Sequence, residues 1–173
     1  MSTPTESKYS VLIVEDEEIL LEFLAEAAKS MGFEVLTAGN GQAASEILDA
    51  NKVTVVISDI NMPLLSGLQL LTRCRRQNIS CPFVFITGNN RTEDLIDAVR
   101  LGAADFILKP FDLEAFTSVL NRVVEIAKRV EYIDELIRLI GQDVAPKTYI
   151  EIDKLRRQIN FLQSMGNHSH PKP

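Results

Sequence analysis

Val53-Thr54-Val55-Val56-Ile57-Ser58-Asp59-Ile60-Asn61-Met62-Pro63 carries a short, β-branched run straight into an acid and then into a turn ending in proline. The run reads as a buried strand over 53–57, with Asp59 just beyond its carboxyl end. Four more segments have the same apolar character: 11–14, 34–38, 83–86 and 105–108. Glu15-Asp16 follows the first of these and Thr87 follows the third, while Phe106 stands within the last and Lys109-Pro110 follows it. In an open α/β sheet the ligand crevice lies outside the carboxyl ends of the strands, so groups far apart in sequence converge there. Three acids, a hydroxyl and an amine are therefore expected at one edge of a sheet.

Helical spacing fills the gaps between these runs. Ile19, Leu20, Phe23, Leu24, Ala27 and Ala28 form one apolar face, and Ala43, Ala44, Ile47 and Leu48 a second. Leu68, Leu70, Leu71 and Cys74 form a third, and Leu95, Ile96, Val99 and Leu101 a fourth. Strict alternation of strand and helix predicts an α/β fold, a doubly wound five-stranded parallel sheet covered on both faces.

The last helix overruns the domain. Phe116, Val119, Val123, Ile126, Val130, Ile133, Ile137 and Ile140 keep a 3, 4, 3, 4 spacing, the pattern of a coiled-coil seam. A helix from Asp112 to Ile140 would be about 43 Å long at roughly 1.5 Å per residue, more than a small domain needs. A turn at 141–146 and the stripe Ile152, Leu155, Ile159 and Leu162 predict a second, shorter helix. These helices can pair within one chain or between two, and β-branched residues at both seam positions favour a bundle. The expected organisation is a flexible start (1–9), a globular domain (10–127), a helical extension that dimerises (128–165) and a flexible tail (166–173).

Bulk properties narrow the function classes. A hydrophobic content of 46% with 24% charged residues is that of a soluble globular chain. No apolar run is long enough to span a bilayer and the start lacks a signal peptide, so no membrane association and a cytoplasmic location are expected. Acidic side chains outnumber basic ones through Val124 and equal them from Glu125 to Met165, which disfavours direct nucleic-acid binding. The spacing of Cys74 and Cys81 fits neither a redox pair nor a zinc site, and His168 and His170 lie in a polar tail.

Val14-Glu15-Asp16-Glu17, Ser58-Asp59-Ile60-Asn61-Met62-Pro63 with Gly67 beyond, Ile86-Thr87-Gly88 and Phe106-Ile107-Leu108-Lys109-Pro110-Phe111 together resemble, in order and spacing, the receiver domain of two-component response regulators. The resemblance covers roughly residues 10–127 and implies a flavodoxin-like receiver. It makes Asp59 the phosphoryl acceptor, supplied by a histidine kinase or phosphotransfer protein. It assigns Glu15, Asp16, Asp59 and the backbone carbonyl of Asn61 to Mg²⁺ or another divalent cation. Lys109 becomes the site lysine and Thr87 the switch hydroxyl, whose movement lets Phe106 turn inward, while Asn61 and Asn89 tune hydrolysis. It implies no enzyme beyond self-phosphorylation and self-dephosphorylation, and the heptad stripe beyond the domain adds the expectation of output through protein contacts or a homodimer of the C-terminal helices.

Each residue also has a plainer reading. Glu15-Asp16 can be helix-start acids, Asp59 a turn residue, Thr87 a cap, Lys109 a solvated strand end and Phe106 a fixed core ring. Their joint occurrence at strand ends favours the site. Two alternatives remain: a receiver-like interaction scaffold that is never phosphorylated, and a magnesium-dependent phosphatase with Asp59 as nucleophile. The second is weakened by Asn61, which stands where haloacid-dehalogenase-type enzymes place another acid.

Overall fold

The computed structural model describes residues 9–88 and 92–140, with side chains to residue 135. The chain alternates strand and helix throughout: β1 (Ser10–Val14), α1 (Glu18–Ser30), β2 (Glu34–Ala38), α2 (Gly41–Ala50), β3 (Val55–Asp59), α3 (Gly67–Arg76), β4 (Phe83–Thr87), α4 (Thr92–Arg100), β5 (Asp105–Leu108) and α5 (Leu113–Ile140). The five strands pair in parallel in the order β2-β1-β3-β4-β5. The expected doubly wound α/β sheet is present, and the order places its topological switch between β1 and β3.

Successive side chains of a strand point to opposite faces, which divides the core in two. Val11, Ile13, Val55, Ile57, Val84 and Ile86 meet α1 and α5 on one face. Leu12, Val14, Val56, Phe83 and Phe85 meet α2, α3 and α4 on the other. The three central strands are buried along their whole length, whereas the edge strands β2 and β5 are partly open.

Two sequence expectations shift. The strand expected at 53–57 is displaced to Val55–Asp59, because Val55 pairs with Val11 and Asp59 with Ile86, so polar Ser58 and Asp59 belong to the sheet. The α1 face is also rotated: Leu24, Ala25, Ala27 and Ala28 are buried, but Ile19 is 79% and Phe23 48% exposed. Gly32, at φ 88, stops α1 in a conformation that favours glycine. Burial pushes the Cys81 thiol up to about 12 and raises that of Cys74, so both stay protonated, free thiols.

The helix after β5 docks by a stripe different from the heptad seam. Phe116, Leu120, Val123 and Val124 are buried against the sheet, with Val119 and Ala127 beside them. Of the expected seam, Phe116 and Val123 face the core, Ile126 and Val130 are half-buried, and Ile133 is 44% exposed. A straight helix at 3.6 residues per turn drifts against a 3.5 repeat, so one stripe cannot serve both sheet and overhang. Buried Asp105 at the start of β5 forms an ion pair with Arg122 of α5, and its Oδ1 accepts the Phe106 N–H at 2.8 Å.

Candidate functional site

Register brings the site together. Val14 pairs with Ser58, Asp59 with Ile86, and Thr87 with Leu108, so the carboxyl ends of β1, β3, β4 and β5 are level. Glu15, one residue past Val14, then stands beside Asp59, and Lys109, one past Leu108, stands beside Thr87. The Lys109 N–H donates to the Thr87 carbonyl at 2.8 Å.

Lys109 joins the two acids. Its Nζ lies 2.6 Å from Asp59 Oδ2 and 2.9 Å from Glu15 Oε2. The second oxygen of each carboxylate accepts a backbone N–H: Asp59 Oδ1 from Asn61 at 2.8 Å and Glu15 Oε1 from Glu17 at 3.3 Å. Glu15, Asp59 and Thr87 are all buried. Phe106 is half-buried, its ring centroid 6.2 Å from that of Phe85, so it is not the fully enclosed core ring of the plainer reading. Asp16 is exposed, and Asn89 lies outside the described residues.

Burial disfavours the ionised form of Glu15 and raises its carboxyl above the usual carboxylate range, despite the opposing hydrogen bond from Lys109. For Lys109, burial alone would lower the ammonium, but the hydrogen bonds to Asp59 and Glu15 outweigh it and carry the group above its ordinary value. A lysine whose folded value exceeds the unfolded one contributes stability that is complete below the unfolded value, about 10.4, and is lost as pH rises through the folded value. Urea unfolding without divalent cations is expected to show stability falling through that alkaline window. Lys109→Met should flatten that part of the curve, and an unchanged slope would refute the assignment.

Gly67 holds the floor of the site. A Cβ there would come within 2.2 Å of the Asp59 carbonyl oxygen and 2.9 Å of both Ser58 Oγ and the Phe85 ring. The close approach lets the Gly67 N–H donate to Ile60 O at 3.0 Å and α3 begin beneath the acceptor segment. Ser66 and Gln69 complete that start as a reciprocal capping box. Because the nearest clash is with backbone, Gly67→Ala is expected to cost about 1–3 kcal/mol, read as a lower urea midpoint.

Among the described residues no three acidic, thiol or imidazole groups gather closely enough to enclose a metal ion. The donors at this edge are nonetheless all oxygen: the Glu15, Asp16 and Asp59 carboxylates and the Asn61 carbonyl. That set suits a hard divalent cation such as Mg²⁺ rather than a thiophilic one. Two acids and one ammonium leave this edge net negative, so a phosphoryl group is accommodated there only with a further cation to offset its charge.

The fold and its acid-lined edge define a flavodoxin-like α/β domain with its site at the sheet's switch point. The family model for the response regulator receiver domain matches residues 11–121, and the chain belongs to that family, the receivers of two-component signalling. It is 32% identical over 116 residues to the regulatory protein AtoC of Escherichia coli, covering 67% of this chain and 25% of AtoC. It is 28% identical to the nisin biosynthesis regulatory protein NisR of Lactococcus lactis subsp. lactis, over 82% of this chain and 61% of NisR. The chain thus spans less than two thirds of the length of these relatives. The chemotaxis response regulator CheY4 of Vibrio cholerae superposes with a TM-score of 0.64 at 28% identity, over 68% of this chain and 99% of that one. No helix among the described residues is long and apolar enough to cross a membrane.

The Asp105–Arg122 pair was not legible in the sequence, because its partners are 17 residues apart on a strand and a helix. An acid at the start of a strand facing a basic residue on the following helix was the only signal.

Proposed function

We propose that Asp59 accepts a phosphoryl group from a histidine kinase or phosphotransfer protein, and that the chain is a cytoplasmic response regulator with no other turnover than its own phosphorylation and dephosphorylation. The observation that carries this reading is the Lys109 ammonium bridging Asp59 and Glu15 at 2.6 and 2.9 Å. A buried carboxylate can attack a phosphoryl group only if the charge on the transferred oxygens is offset. Asp59 supplies the attacking oxygen, and the bond from phosphorus to the donor breaks as the new acyl phosphate bond forms. Lys109 is positioned to follow the new negative charge, and the Asn61 N–H holds the acceptor carboxylate in place.

Glu15, Asp16, Asp59 and the Asn61 carbonyl would hold Mg²⁺ or another divalent cation, which when bound offsets charge on the phosphoryl oxygens. Thr87, buried beside Lys109, reads the modification through its hydroxyl, and half-buried Phe106 follows it inward. The Asn61 side chain, with Asn89, tunes hydrolysis.

Output runs through protein contacts, including a homodimer of the C-terminal helices, rather than through direct binding of nucleic acid. Self-association is supported by the heptad spacing to Ile140 and by the exposure of Ile133. The second stripe, Ile152 to Leu162, lies outside the described residues. Incubation with a small phosphodonor and Mg²⁺, followed by mapping of the modified residue, tests the acceptor. Modification confined to Asp59 supports the reading, and none at all leaves the unphosphorylated scaffold in its place.

A further inference from the structure

We propose that the overhanging part of α5 pairs in parallel with the same segment of a second copy of this chain, with Arg129 of each copy set against Asp134 of the other. The pairing rests on the self-association reading above and adds its orientation and the residues that fix it.

Burial against the sheet ends near Ala127, yet α5 continues to Ile140. Lys52 Nζ meets Glu131 Oε1 at 2.7 Å, and Lys128 Nζ lies 4.6 Å from the Tyr9 ring centroid. Lys52 and Tyr9 precede β3 and β1, so α5 leaves the domain at the amino edge of the sheet, opposite Asp59. The overhang carries Ile126, Val130 and Ile133 at 4 and 3 spacing, and Ile133 and neighbouring Tyr132 are exposed at 44% and 66%. An exposed helix with a β-branched stripe is marginal on its own and gains by covering that stripe.

Charge selects the occupant and its direction. With Val130 at position a and Ile133 at d, the positions flanking the seam between 126 and 140 are Ala127, Arg129, Asp134 and Leu136. Arg129 is at g and Asp134 at the next e. In a parallel, in-register pair, g of one helix faces the following e of its partner, so Arg129 meets Asp134 twice by symmetry. In an antiparallel pair g faces g and e faces e, so Arg129 no longer meets Asp134 of the other copy. Exposed ion pairs add little affinity, but such flanking charges determine orientation and partner choice. Parallel pairing leaves both Asp59 edges pointing away from the coil and open to a donor.

The test uses the full chain with single cysteines at Val130→Cys or Ile133→Cys, and the native chain as blank because Cys74 is buried and the Cys81 thiol stays protonated. Light scattering should give the mass of two copies, and mild oxidation should cross-link each variant to itself, whereas outward-facing Tyr132→Cys should not. A dimeric mass with cross-linking at neither or only one seam position overturns the parallel register alone. A monomeric mass overturns the self-association reading with it, leaving phosphorylation of Asp59 to be judged separately. Arg129→Glu should weaken the dimer on the order of tenfold, and adding Asp134→Arg should restore it. These two positions lie on different sides of one helix, so recovery reports a contact between copies; its failure counts against the proposed charge pairing.

Discussion

An Asp59→Asn chain is expected to take up no phosphoryl group from a small phosphodonor in the presence of Mg²⁺. The amide has nearly the shape of the carboxylate, and its oxygen can still accept the Asn61 N–H, while Lys109 keeps Glu15 as a partner. What is lost is the anionic oxygen that attacks phosphorus, and no rearrangement of neighbours replaces a missing nucleophile. Intact-mass spectrometry reads the result directly, with circular dichroism confirming that the variant is folded. Uptake equal to that of the native chain would remove Asp59 as acceptor, and sustained turnover of phosphate esters by the native chain would revive the phosphatase alternative. Lys109→Ala separates the roles further, because it should slow uptake without moving the site of modification.

The second large effect concerns stability. Arg122→Met is expected to cost about 3–5 kcal/mol, since it leaves the buried Asp105 carboxylate without its counter-charge. The Phe106 N–H still binds that carboxylate, but one neutral donor does not replace a guanidinium. Adding Asp105→Asn removes the stranded charge and keeps an acceptor for Phe106, so the double variant should recover most of the loss. Denaturant unfolding of the four chains in this cycle measures the coupling. Additive losses would show that the pair contributes no joint stabilisation. The pair also anchors β5 to α5 directly beside Phe106, so weakening it should loosen the link between the site and the helical overhang.

Much of this was legible without coordinates. The β-branched runs and the helical stripes between them determine a parallel sheet with helices on both faces, because only that arrangement buries fully apolar strands. The acids, hydroxyl and lysine at the run ends placed the candidate site at one edge, and direct contacts now join Asp59, Glu15 and Lys109. Side chains that look alike in sequence nevertheless differ in place: Asp16 is exposed while Glu15 is buried. Asp59 proved to be the last residue of its strand rather than a residue beyond it.

Local pattern determined which elements form, their alternation and the edge where the chemistry collects, since periodicity and turn residues act over a few neighbours. Tertiary structure decided the strand order, the two-residue shift of β3, the stripe by which α5 docks, the need for glycine at position 67 and the Asp105–Arg122 pair. Each of these depends on register and contact between segments distant in sequence, where packing and the pairing of buried polar groups override the preference of any single stretch.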